Sequence, residues 1–520
     1  MLQQDAFTET GQVQVNPSRD KVTTDFSNVK INSDNTAQIH NEEQIWMNPL
    51  SPQNLIAVWR DFRLGYRRVG VGRSSDGGDT WTGALFTGTP YEWDSDPGIV
   101  CDADGNFYMI ILTLNNSDWR NGIYVAKSTD NGASWSGGLA VDAPDATYFE
   151  DKELLACDRT SGSGSGNLYI SWTRFEGYYS YATIYSVRST DGGASWSSPV
   201  QVSSSRSTQW SVPVVGADGT LWVGWNDFNN PGIWIDHSTD HGLSFGTDDK
   251  IFSTQIASGD INDTVLVFSY PAMDADITGG PYNGNLYIAF MDDRGNGDMD
   301  IYFTRSTDNG ITWSTPVRVN DDPPANGRDQ FHPWLFVDNT GKIHLAFYDR
   351  RDDPSNYYYN VYYTSSTDGG LTWAANRRVS SESSAPVANK GGVLGEYFGV
   401  AGHDGKPYIC WTDTREGHQR IYFGTDTTNS GVDQVVHGPD RVFLAVNPTV
   451  GKEFTVSYVA EQNQPLSLEI YDQLGVRVKV LKPTAHRGTV SLSAGELEPG
   501  VYTVIMKSVN RTESATFVVR

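Results

Sequence analysis

Residues that handle protons and anions recur in this chain at the ends of apolar, aromatic-rich runs. Acids stand at Asp61, Asp293 and Asp349. Guanidinium groups stand at Arg60, Arg63, Arg120, Arg174, Arg294, Arg350, Arg351 and Arg415. Several of them converging could pair a carboxylate through two parallel hydrogen bonds each. Glu396-Tyr397 and Glu176-Gly177-Tyr178 set a carboxyl beside a phenol. His332 lies between Phe331 and Trp334. It reads as a hydrogen-bonded structural residue, with a base acting on an acidic sugar as the alternative. The runs Asp292-Asp293…Asp298…Asp300 and Asp352-Asp353 supply oxygens suited to a structural calcium ion, though their spacing fits no defined loop and a solvated acidic loop is the simpler reading. No other metal site and no cofactor is implied.

What must position these groups is a repeat. Ser-x-Asp-x-Gly-x-x-Trp occurs at Ser74–Trp81, Ser128–Trp135, Ser189–Trp196, Ser306–Trp313 and Ser366–Trp373, and with Phe in place of Trp at Ser238–Phe245. A decayed copy starts at Gly424. Asp76, Asp130, Asp191, Asp240, Asp308 and Asp368 are the copies' central acids. Each can close a hairpin tip by accepting backbone N–H groups, while the Gly takes a positive φ and the Trp plugs the gap between sheets. These six acids are therefore structural. Before each copy come a strand ending in Asp-x-x-Gly, an aromatic-rich strand, a polar loop and a third strand. After it comes a fourth, as in STPVRVN following Trp313. Four short strands per unit make a propeller blade.

The units number seven, and the last reaches only its third strand. Asn28–Asn32 (NVKIN) matches the fourth strands elsewhere, so an N-terminal strand is expected to complete the final blade and close the ring. The fold class predicted is all-β: residues 1–27 an N-terminal extension, 28–435 a seven-bladed β-propeller, and 440–520 a small C-terminal β-sandwich. In such a ring the repeated tips share one face. The second-to-third-strand loops and the segments joining blades share the other, where ligands gather. Those joining segments are HNEEQ, YEWDSDP, YFEDKE, STQWS, VFSYP, RDQFHPW and LGEYFG. An aromatic residue beside or two before an Asp recurs at Trp59/Asp61, Trp225/Asp227, Tyr348/Asp349 and Trp411/Asp413. Recurrence of that kind fits an Asp that holds its own loop. The second and third units break the pattern with Asn115, Asn116, Arg120, Arg174, Glu176 and Tyr178.

The formal charge of −25 argues against nucleic acid and anionic lipid as general partners. Cys101, Cys157 and Cys410 sit in apolar runs and offer no disulfide framework. No apolar run is long enough to cross a membrane. The start MLQQDAF reads as a processed N-terminus behind an added Met.

On these motifs residues 28–430 resemble sialidases and their Asp-box (BNR-repeat) relatives. The resemblance implies three converging Arg for a substrate carboxylate, a Tyr nucleophile activated by a Glu, and an Asp acid/base. Candidates here are Asp61, Asp293, Asp349, Glu396 and Tyr397 for catalysis. For substrate binding they are Arg60, Arg63, Arg120, Arg174, Glu176, Tyr178, Arg294, His332, Arg350 and Arg415. The chain departs from sialidases in two ways: Asp61-Phe62-Arg63-Leu64 is not their Phe-Arg-Ile-Pro motif, and they have six blades. From Asp440 the sequence resembles the C-terminal sorting domain of the type IX secretion pathway of Bacteroidetes. The residues that carry the likeness are Asn447-Pro448, Ile470-Tyr471-Asp472 with Gly475, and Leu497-Glu498-Pro499-Gly500-Val501-Tyr502. This implies the type IX machinery as a partner and a secreted or outer-membrane-surface location. An accessory β-sandwich is the other reading. The expectation is a monomeric, secreted, sialidase-like glycoside hydrolase acting on extracellular glycans. A non-enzymatic glycan-binding or adhesive propeller and a polysaccharide lyase are the alternatives.

Overall fold

The computed structural model describes residues 21–428, apart from 145–146, 178–179, 256–257, 263, 296 and 387–393. Beyond that it describes residues 443–448, 453–459, 467–472, 476–482, 487–493, 497, 500–507 and 512–519. Tyr178, Gly475 and Glu498-Pro499 fall outside these. The described residues contain strands and turns and no helix, so none long and apolar enough to cross a membrane.

The chain divides into Met1–Thr427 and Thr428–Arg520. The first unit holds seven four-stranded antiparallel sheets among its described residues. Their innermost strands are His40–Asn48, Trp93–Cys101, Tyr148–Cys157, Thr208–Val215, Ala272–Ala275, Gln330–Val337 and Gly399–His403. Each of these touches the next and the last touches the first, so the sheets form a closed ring, the arrangement of a β-propeller. In six sheets the four strands follow chain order. In the seventh the outer strand is Val29–Lys30, paired as Val29↔Phe423 and Lys30↔Tyr422. Between the fourth and fifth sheets the hairpin Ser258–Ile261/Val265–Phe268 is inserted. Four of the second strands, Phe107–Leu114, Leu221–Asp227, Leu286–Asp292 and Ile343–Asp349, are buried along their whole length because a neighbouring sheet covers each face.

The repeated tips are built alike. In the first, Ser74 Oγ accepts the Gly78 N–H (2.9 Å) and donates to Asp76 Oδ1 (2.7 Å), and Asp76 accepts the Thr80 N–H (2.9 Å). The fifth position is glycine for two reasons. At Gly78 φ is +99°, and a Cβ there would lie 2.1 Å from the Phe423 ring of the preceding sheet. Trp81 packs on the same ring, centroids 5.3 Å apart, so each tip also seals a joint between sheets.

The second unit forms two antiparallel sheets. One joins Phe443–Pro448, Glu453–Val459 and Arg487–Ser493; the other joins Arg477–Leu481, Ser467–Asp472, Gly500–Lys507 and Thr512–Val519. Thr512–Val519 touches Phe443–Pro448. Leu468, Ile470 and Val504 are buried.

Candidate functional site

The inner strands share a defect at their start. Pairing with the second strand breaks between Asn41 and Gln44, Ser95 and Gly98, Asp151 and Leu154, Gln209 and Val212, and Phe331 and Trp334. Each break is a β-bulge of two residues. The first of the two has a left-handed backbone: Glu42 at φ 55°, Asp96 at 48°, Lys152 at 53°, Trp210 at 56° and His332 at 49°. None is glycine, so each stores strain of about 1–3 kcal/mol that the surrounding structure must impose. In the fifth and seventh sheets, counting back from Ala272↔Ala289 and Gly399↔Cys410 puts Tyr270 and Tyr397 at the matching position. Seven sheets thus bring a charged or aromatic residue to one end of the ring's axis, since a bulge re-aims the side chain it carries.

These residues make one cluster. Lys152 Nζ lies 2.8 Å from Glu396 Oε2, 3.3 Å from Asp96 Oδ2 and 3.4 Å from Glu42 Oε1, and 5.8 Å from the centre of the Tyr397 ring. Arg60 Nε approaches Glu42 Oε2 at 3.4 Å and donates to Asn41 Oδ1 at 2.9 Å. Trp210 Nε1 donates to Glu396 Oε2 (3.1 Å), and its ring stacks 3.9 Å from that of Phe268. Tyr397 donates its hydroxyl to the Pro97 carbonyl (3.3 Å). Tyr270 and His332 have ring centres 6.1 Å apart. Glu42 and His332 are fully buried, while the Lys152 and Glu396 side chains each keep 10 % of their exposure.

Electrostatics sorts the carboxyls. Burial raises the pKa of Glu42 above the ordinary range, against the pull of Arg60 and Lys152. Burial also works against the charge of Asp96, but Lys152, Arg60 and a hydrogen bond from Glu42 outweigh it and hold Asp96 low. The pair therefore consists of a carboxyl that keeps its proton and a carboxylate that has lost one. Lys152 stays charged: burial opposes this, and Asp96, Glu396 and Glu42 overcome it. Burial alone pushes His332 down to about 3, so it is neutral at ordinary pH. The Tyr270 hydroxyl, both His332 ring nitrogens and both Glu153 carboxyl oxygens have no hydrogen-bond partner among the described residues. Orphaned buried groups of this kind call for water or ligand.

Of the residues singled out in the sequence, Arg60, His332, Glu396 and Tyr397 meet at this cluster. The others do not. Asp61 accepts from Trp59 Nε1 (2.8 Å), the Arg63 N–H (2.9 Å) and Arg63 Nη2 (2.6 Å). Asp349 accepts the Arg351 N–H and Nε, both at 2.7 Å; burial raises it to about 7, with Arg351 opposing. Asp413 holds Arg415 (2.7 Å) and Trp411 (2.8 Å) in the same way. Arg174 grips Glu150 of its own sheet (2.5 Å), and Glu176 pairs with Arg206 (2.8 Å). Arg350 is buried and donates to Thr264 Oγ1 (2.8 Å); burial lowers it to about 10. Arg120 is exposed beside Asp118 (3.5 Å), Arg294 lies 5.3 Å over the Tyr302 ring, and Asp293 accepts the Gly295 N–H (2.8 Å).

The acidic runs proposed for calcium meet protein donors instead. Asp300 takes Arg318 (2.5 Å), Asp298 the Gly327 N–H (2.9 Å) and Asp353 the Tyr358 N–H (2.8 Å). A different group, Asp34, His40 and Asp61, has ligand spacing. There Arg63 also reaches Asp34 (3.6 Å), so a guanidinium already supplies the cation.

Sequence reasoning missed Glu42, Asp96, Lys152 and Tyr270. All lie in the seven joining segments. Aligning those segments on the residue where pairing resumes would have put them in one column.

No protein-family model and no curated protein matches the chain. Among solved structures the chain is similar to three that illustrate the range. A protein of unknown function from Dyadobacter fermentans is 14 % identical, covering 62 % of this chain and 94 % of that one, with a TM-score of 0.43. An alpha-L-arabinanase from Penicillium chrysogenum is 12 % identical, covering 79 % and 98 %, with a TM-score of 0.42. A Hadza microbial sialidase is 16 % identical, covering 72 % and 73 %, with a TM-score of 0.40. At these identities and scores they transfer neither a residue's role nor a substrate.

Proposed function

We propose that the chain is a secreted, seven-bladed Asp-box propeller that acts as a glycoside hydrolase on extracellular glycans, with its chemistry at the axial cluster. The observation that carries this is the pairing of a proton-bearing Glu42 with an ionised Asp96 across Lys152. Glycoside hydrolysis needs one group to protonate the leaving oxygen and a carboxylate to stabilise the charge that develops at the sugar carbon. Both carboxyls touch the same ammonium and Glu42 hydrogen-bonds to Asp96, so the two lie side by side and divide one proton between them. Tyr397 fits less well as a nucleophile, because burial and the nearby Glu42 push its phenol well above the ordinary value. A sugar would approach past Lys152 and Glu396, the more exposed members, with Trp210 and Tyr397 as stacking surfaces.

The test is sugar release from sialosides and from plant and algal polysaccharides. Glu42→Gln and Asp96→Asn are each expected to lower kcat by at least about a hundredfold, the usual scale for loss of a general acid or its partner, with KM changed little. Undiminished turnover in both variants sinks the assignment. Glycan binding without product release would favour the non-enzymatic reading, which the local pairing of the loop arginines also supports.

The C-terminal module, in this reading, addresses the protein to the type IX machinery. Deleting residues 440–520 is expected to leave the propeller inside the envelope of a host that has that pathway. Undiminished appearance in the medium would count against it.

A further inference from the structure

Below the charged cluster the same inner strands enclose a cavity of about 80 Å³. Its walls are largely apolar, with Leu155, Val214, Met273 and Phe336 among them. Arg159 is the one cation among its described lining residues, and Asp274 the one anion. Arg159 follows the inner strand Tyr148–Cys157, at the end of the ring that carries the repeated tips. Nearby Ser163 Oγ lies 3.1 Å from Nε2 of His241, which belongs to the fourth tip.

The Arg159 guanidinium is held by rings rather than by acceptors. It sits 5.3 Å from the centre of the Trp46 ring and 5.9 Å from that of Phe336. It makes no ion pair and no hydrogen bond among the described residues, unlike the loop arginines described above. Asp274 acts on it through space, but the Asp274 oxygens are turned to the backbone: they accept the Ala275 N–H (2.9 Å) and the Val337 N–H (2.8 Å). The buried indole N–H of Trp46, which also lines the cavity, has no acceptor. An apolar cavity thus contains a guanidinium and an indole donor, both unanswered. A partly buried cation is tolerated when it is paired and hydrogen-bonded. Contact with two rings, themselves packed edge to face, restrains the guanidinium and leaves N–H groups for a ligand. The space admits about two or three waters, or one group of carboxylate or sulfate size.

We infer that the tip-side end of this cavity is a binding site for one small oxyanion group, a carboxylate or a sulfate, held by Arg159 beside Trp46 and Phe336. This site is separate from the Glu42–Asp96–Lys152 cluster and stands whether or not that cluster is catalytic. The anion is either a free small acid or the acidic substituent of a sugar; the donor set recognises what the two share.

Equilibrium dialysis of the full chain against radiolabelled sulfate, acetate and methyl glucuronide tests this, with ionic strength held by sodium chloride. Saturable binding of at least one probe, at one per chain, is expected. Arg159→Gln should weaken it at least tenfold, and Arg159→Lys, which keeps the charge but not the fork, should weaken it by less. Methyl glucuronide binding more tightly than acetate supports a sugar-borne acid, and the reverse supports a free acid. The inference is overturned if none of the three probes saturates, or if Arg159→Lys and a folded Arg159→Gln bind as the natural chain does. Glu42→Gln should leave this binding unchanged, which separates failure here from failure of the catalytic reading.

Discussion

Lys152→Met is expected to destabilise the propeller by about 3–5 kcal/mol, the usual consequence of removing one partner from a buried ion cluster. Three carboxyl groups converge on this one ammonium, Glu42 with its proton, and Met fills its volume without its charge. Asp96 and Glu396 would then have to take up protons or draw water into the axis. Arg60 remains beside Glu42 but cannot serve all three. Urea unfolding at pH 7 measures the loss. Adding Asp96→Asn to the Lys152→Met chain should recover a substantial part of it, because the orphaned charge is then gone as well. Arg206→Ala is the control. Its partner is Glu176, the side chains are 51 % and 26 % exposed, and an exposed pair of that kind contributes about 0–1 kcal/mol. A Lys152→Met chain no less stable than the Arg206→Ala chain would mean that the axial charges are solvated and do not form the closed cluster.

The same contrast explains what could be read from the sequence. The tips were legible because their chemistry is local: Ser74, Asp76, Gly78 and Thr80 bond to one another within seven residues. Trp59 and Asp61 were legible for the same reason, being two residues apart and hydrogen-bonded. Their recurrence across sheets pointed to loop-holding acids, and Asp413 with Trp411 repeats the geometry. The axial cluster is different. Glu42, Asp96, Lys152 and Glu396 come from four sheets, and no short spacing joins them. A β-bulge also leaves no mark in an alternating pattern, because Glu42-Glu43 and Lys152-Glu153 read as polar loop residues. They sit within strands His40–Asn48 and Tyr148–Cys157 and are held there by the ring. Closure of that ring supplies the burial that sets their protonation, and a linear pattern contains no such information. Tyr397 and Glu396 were noticed as a carboxyl–phenol neighbour pair. The structure brings them to the axis but gives the carboxylate to Lys152 and Trp210 and the phenol to the Pro97 carbonyl.

The burial of acids around the axis also makes stability depend on pH with a definite sign. Burial pushes Glu43 from 4.5 up to about 8, although Thr412 Oγ1 donates to it at 2.7 Å. Glu153 is raised well above its ordinary value, by burial and then by Asp96. A carboxyl raised on folding binds its proton more tightly in the native state. Its stabilising effect is whole below the unfolded value and is lost as pH climbs to the folded one. His40, raised by Asp34 and Asp61 against burial, acts in the same direction above 6.5. Groups held low act oppositely on the acid side, among them His332, lowered to about 3 by burial, and Asp61, held at about 2 by His40 and Arg63 against burial. Between pH 6.5 and 8 the raised groups act without that opposition, so the urea midpoint should fall steadily across the interval. Each raised carboxyl contributes up to about 1.4 kcal/mol per pH unit. Repulsion within a chain of net charge −25 has the same sign. The decisive comparison is therefore Glu43→Gln, which barely alters total charge yet removes one titration. Its amide oxygen can still accept from Thr412, so the variant should fold. Its midpoint should fall less steeply than that of the natural chain over the same interval. Parallel slopes would show that Glu43 is ionised in the folded state and that the axis is wetter than its packing indicates.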